Sequence, residues 1–135
     1  MKSVRLSLTA VVLAHLVVSA VHGAAHDRAQ VPLSLWANLF VYVVILAGPL
    51  VGLALMWWNA RAGAWIIAFA MAGSFVFGVV NHFLLSSPDH VAHVDPQWRS
   101  LFTATAVLLA VTEALGVALA AKFLTSERVS ANSTR

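Results

Sequence analysis

The 135-residue chain has no cysteine, so disulfides, thiolate metal sites and thiol redox chemistry are all excluded. Charge is nearly as scarce, at 10% of residues against 61% hydrophobic, and mean hydropathy is +0.87, which is too apolar for a soluble domain. Glycine-rich phosphate loops and nucleophile-elbow patterns do not occur, nor do internal repeats or low-complexity tracts. Strict apolar–polar alternation is missing too, which argues against a β-barrel. What remains is imidazole and carboxylate chemistry in a chain built mostly of long apolar runs.

Those runs cover roughly residues 6–25, 33–58, 64–85 and 98–124. Each meets the requirement of about 20 residues for ~30 Å of hydrocarbon. The expected fold is an all-α membrane protein, a four-helix transmembrane bundle forming a single domain over residues 1–124, with a polar, disordered cytoplasmic tail over 125–135. Lys2, Arg5, Arg61, Lys122, Arg128 and Arg135 fall on one side, Arg28 and Arg99 on the other, which places both termini in the cytoplasm. Trp36 and Trp98 then mark the outer interface, and Trp57, Trp58 and Trp65 the inner one. The net charge of +3 follows from this topology and is no sign of nucleic acid. The expected location is a bacterial cytoplasmic (inner) membrane, with the lipid bilayer as the first partner and a homodimer or larger membrane complex as further ones.

A competing reading concerns the first span. Lys2 and Arg5, an apolar run and then Gly23-Ala24-Ala25 also fit a cleaved secretory signal. The run is long for a signal and carries His15 and His22, so retention is the expectation.

The connections restrict the packing. The turn Asn59 to Gly63 is tight, which makes the second and third spans antiparallel neighbours. Pro32 suits the first turn of the second span, and Asp95-Pro96 reads as the N-cap and first position of the fourth. Pro49 is expected to kink the second span. Gly48 with Gly52, Ser74 with Gly78, and Gly116 with Ala120 are small pairs four apart that allow close helix approach.

Six histidines are the chemical content: His15, His22, His26, His82, His90 and His93. His15, His22 and His26 are separated by seven and four residues and return to one helical face, with Ser19 on the same stripe. An imidazole stripe on an apolar helix should face the bundle interior, since lipid leaves its nitrogens unsatisfied. His22 and His26, one turn apart, can share a metal ion. Asn81 and His82 lie near the outer end of the third span, and the following loop adds Asp89, His90 and His93. Asp89 can serve as a ligand or orient an imidazole. This donor set suits Zn, Cu(II) or non-haem Fe. Deeper in the bundle, Glu113 sits at the depth of His15, and burial favours their pairing, either as a structural contact or as a proton-linked step. Asn38 with Tyr42 could reach the histidine region, while Thr105 and Thr112 should bond to their own helix or a neighbour.

Three functions fit these residues. The first is a metal-binding membrane protein using His22, His26, His82, Asp89, His90 and His93. The second is a b-type haem protein with His22 and His82 as axial ligands, and the third is a non-catalytic accessory or scaffold subunit whose histidines are structural or pH-sensing. His22-Gly-Ala-Ala-His26 has the spacing of one histidine box of membrane di-iron hydroxylases, but those enzymes use more histidines than six, so an enzyme is not expected. The mass of the purified protein should show an intact N-terminus; a chain beginning just after Ala25 would remove His15 and His22 and end the metal and haem readings together.

Overall fold

The computed structural model describes residues 2–132, with side chains through Ser126. It is all-helical, with no strand among the described residues. Four helices are long and apolar enough to cross a membrane: α1 Lys2–Arg28, α2 Leu35–Leu55, α3 Ala60–Leu84, and α4, whose apolar part is Pro96–Ser126.

The helix starts are set by short polar side chains. The Asp95 carboxylate accepts the N–H of Gln97 at 2.8 Å, as the Asp95-Pro96 pair predicts. Asn59 accepts from Ala62 N–H and caps α3. Ser34 accepts from Ala37 N–H, so α2 begins at Leu35 and Pro32 precedes it rather than forming its first turn. At the other end of the chain, α4 continues to Asn132, past the boundary near residue 124 expected for a disordered tail. The hydroxyls of Thr125 and Ser126 bond back to the Lys122 carbonyl, so polar composition does not stop a helix already running. Residues 133–135 of that expected tail lie outside the described residues.

Two helices widen locally. Residues Val41–Ala47 of α2 and Val80–Leu84 of α3 are π-helical. In α2 the cause is legible: the α-helical donor for the Ile45 carbonyl would be the N–H of residue 49, and proline has none. The ladder shifts upstream of Pro49, with Gly48 N–H reaching back five residues to the Val43 carbonyl. Such widened turns frequently accompany functional sites.

Packing divides the bundle into two halves. At the end holding the N-terminus, Leu8 and Val12 of α1, Met56 after α2, Ile67 and Met71 of α3, and Ala120, Phe123 and Leu124 of α4 form the main apolar core. Gly52 and Gly63 let α2 and α3 touch backbone to backbone, since a Cβ on Gly63 would stand 2.5 Å from the Gly52 carbonyl oxygen. Gly116 makes similar room for Met71. The Arg5 guanidinium donates to the Met56 carbonyl and lies 5.4 Å from the Trp57 ring centroid. At the opposite end only Ala25, Val94 and Phe102 form a smaller cluster. Helix α4 packs along both α1 and α3, and α2 along α3, whereas α1 and α2 meet thinly. That seam is where the bundle opens.

Gly63→Ala should lower unfolding stability by about 1–3 kcal/mol through overpacking. Gly23→Ala, where a Cβ meets nothing within 4 Å, should be neutral or mildly stabilising. Thermal melts of the two variants in one detergent compare these outcomes.

Candidate metal site

The buried face of α1 carries Leu8, Val12, His15, His22, Ala25 and His26, one stripe whose half away from the N-terminus is mostly imidazole. His82 joins it from the widened end of α3, and Asp89 from the loop that follows. His22, His26 and His82 are all buried, and each offers a ring nitrogen within 4.8 Å of the others. Among the described residues this is the set at metal-ligand spacing.

Phe102 of α4 packs against all three rings, with centroids at 4.8 Å from His22, 4.7 Å from His26 and 5.3 Å from His82. It is fully buried. One helical turn on, Thr105 Oγ1 lies 2.8 Å from His22 Nδ1.

The hydrogen bonds fix which nitrogens are free. The Thr105 hydroxyl has one hydrogen, directed back to the Leu101 or Phe102 carbonyl at 2.8 and 3.0 Å. Its oxygen therefore accepts from His22 Nδ1–H, leaving His22 Nε2 as the lone-pair atom. His82 Nδ1 faces two acceptors, the Asp89 carbonyl at 3.1 Å and Asp89 Oδ1 at 3.2 Å. It must donate, so the neutral ring keeps its lone pair on Nε2. These two Nε2 atoms stand 3.2 Å apart. Two lone pairs at that distance in an apolar site repel unless a proton or a metal ion lies between them.

Asp89 binds the set together. Its Oδ1 is 3.2 Å from His26 Nε2 as well as from His82 Nδ1, at ion-pair distance rather than with hydrogen-bond angles. On His82 the carboxylate and His22 occupy opposite ring nitrogens, the arrangement in which a carboxylate orients a ligating imidazole. Burial alone would raise the Asp89 carboxyl, but close contact with His82, then the charges of His26 and His22, outweigh it and hold the group below the ordinary carboxylate range.

His90 and His93 do not join this set. Their rings pair with each other on the loop, centroids 5.3 Å apart; Ala92 N–H donates to His90 Nδ1 and His93 Nδ1 to the Ser87 carbonyl. Asn81 turns back to the Phe77 carbonyl, and Asn38 to those of Leu33 and Ser34, so neither amide bonds a histidine. Thr105 and Phe102 are site residues that histidine spacing does not reveal. Their signal is the three- and four-residue spacing of Phe102, Thr105, Leu109, Glu113 and Gly116 along one face of α4.

Below the histidines a cavity of about 480 Å³ runs along the α1–α2 seam, with His22, His26 and His82 at one end and Glu113 at the other. Ser19, Asn38, Tyr42 and Ser74 also line it. His15 and Glu113 approach as expected, with Nδ1 and Oε1 3.8 Å apart and both side chains buried.

No protein family, characterised protein or solved structure matches the chain.

Because the folded Asp89 titrates below its unfolded value, its stabilising contribution is whole above roughly pH 4 and vanishes as pH falls through the folded value. The stability difference between the wild type and Asp89→Asn, measured by denaturant unfolding in detergent, should shrink as pH falls below that value. A difference that keeps its full size well below it contradicts the ion-pair geometry.

Proposed function

We propose that this is a small multi-pass membrane protein that binds one transition-metal ion tightly at its outer end, through His22, His26 and His82. The observation that carries the reading is the 3.2 Å approach of His22 Nε2 and His82 Nε2, both lone-pair atoms by their other hydrogen bonds. With metal–imidazole bonds of about 2.0–2.1 Å, two neighbouring ligands of a tetrahedral ion stand about 3.3 Å apart. His26 offers a third ring nitrogen within 4.8 Å of these two. Asp89 orients His82 and contacts His26, and Thr105 fixes the His22 tautomer, the supporting roles that metal-bound imidazoles require. Three imidazoles beside a carboxylate, with no thiol, suit Zn, Cu(II) or non-haem Fe.

The membrane setting rests on the four apolar helices together with the exposed Trp36, Trp57 and Trp58, which fit interfacial belts at opposite ends. Basic residues gather at the end with the packed core, which supports a reading with the histidines on the outer side and both termini in the cytoplasm; a bacterial inner membrane suits this orientation.

The haem reading has less geometric support. Axial ligands stand on opposite sides of one iron, about 4 Å apart with bonds near 2 Å, and a porphyrin would have to pass between rings that Phe102 packs against on both sides. A second reading does have an observation in its favour: 3.2 Å is also a hydrogen-bond distance, and one proton shared between His22 and His82 would give a metal-free, pH-sensing accessory subunit.

Purified protein, exchanged against Zn2+ without chelator, should retain one tight ion per chain. His22→Ala and His82→Ala should each abolish tight retention, and Thr105→Val should weaken it 10–100-fold. A folded chain that holds no metal at pH 8 supports the shared-proton reading instead, and Soret absorption after expression with added haem would favour the haem reading.

A further inference from the structure

We propose that His15 and Glu113 form a second cation site at the floor of the cavity, taking a divalent ion of the borderline class, such as Zn2+ or Co2+. The proposal does not rest on the three-histidine reading, because none of its donor atoms belongs to that set.

The argument begins with Pro49. The Ile45 carbonyl lacks its α-helical donor, and His15 Nε2 lies 3.2 Å from it. A carbonyl only accepts, so Nε2 carries the ring hydrogen and the neutral imidazole bears its lone pair on Nδ1. That atom is buried without a hydrogen-bond partner and stands 3.8 Å from Glu113 Oε1. The separation is too long for a hydrogen bond. It lies within the span of about 4.2 Å that two donors, each about 2.1 Å from one shared ion, can reach, at an angle opened beyond the tetrahedral one.

Glu113 has the complementary need. It is 2% exposed, and its one close polar neighbour among the described residues is His15. A buried carboxylate in an apolar bundle requires a proton or a cation, and such residues characteristically lie on ion paths. Glu113 lines the cavity and His15 stands directly behind it, so an ion entering along the seam meets the carboxylate first, and water from the same space can complete the coordination. Beyond Glu113 the packed core of Leu8, Val12, Met71 and Ala120 closes the bundle. The position is therefore the floor of a chamber, not a step in an open pore. Seven residues separate His15 from His22, about 10 Å at the helical rise, too far for one ion to bridge the two centres. With two protein donors against three, the inner site is the weaker.

The test is a Zn2+ titration of the full chain by calorimetry, in a His90→Ala/His93→Ala background that removes the loop pair. Two ions should bind, one tightly and one at least tenfold more weakly. Glu113→Gln should lose the weaker ion and keep the tighter, and His82→Ala should lose the tighter while still binding one ion. A single ion whose binding Glu113→Gln leaves unchanged overturns the proposal, as does a folded His82→Ala chain that binds none. Loss of the tight ion alone from the wild-type profile, with the weak one retained, would count against the three-histidine reading and leave the inner site standing.

Discussion

Imidazole nitrogens buried among apolar helices must each find a partner, because no bulk water is there to supply one. The arrangement of the histidine-bearing half of this bundle follows from that requirement. Pro49 deprives the Ile45 carbonyl of a donor, and His15 supplies one from the neighbouring helix. This bond spans the seam where α1 and α2 otherwise meet thinly. The widened turn around Ile45 lines the cavity on one side, and the widened end of α3 carries His82 on another. The cavity wall and the placement of His82 thus both involve irregular backbone.

The two halves of the bundle solve the stability problem differently. At the end holding the N-terminus, glycine contacts and the Met71, Ile67 and Phe123 side chains give close apolar packing. At the opposite end, space that could hold apolar side chains instead holds imidazoles, a carboxylate and a cavity. Helix α4 links them through one continuous face: Phe102 and Thr105 contact the histidines, Glu113 ends the cavity, and Gly116, Ala120 and Phe123 enter the core. A rigid packed half holds this face in register, which keeps the polar groups of the other half in place.

The helix count and the grouping of His15, His22 and His26 on one face were legible in the sequence, because a span of about 20 residues and a 100° repeat leave few alternatives. The approach of Glu113 to His15 was legible too, since depth in the bundle can be counted from the turns. The loop was not. Ser-Ser-Pro-Asp-His-Val-Ala-His offers three ligand-type side chains, and only folding decides that Asp89 turns inward while His90 and His93 are held by Ala92 and Ser87. Thr105 was ambiguous for a different reason: a helical threonine back-bonds to its own carbonyls, and that same bond is what makes its oxygen an acceptor for His22.

These tautomers bear on energetics as much as on chemistry. Well-packed apolar residues in place of a buried polar cluster are commonly neutral or stabilising, so the His22–His82 contact costs the free chain stability that Leu or Phe would not. A cation between the two Nε2 atoms would convert that repulsion into two bonds, and because the unfolded chain has no such preformed pair, its binding energy would become folding energy for the histidine-bearing half. The packed half needs no such help. Occupancy should therefore act on the seam, where α1 carries two of the three histidines and touches α2 least, drawing α1 toward α3 and α4 while the core around Met71 stays as it is.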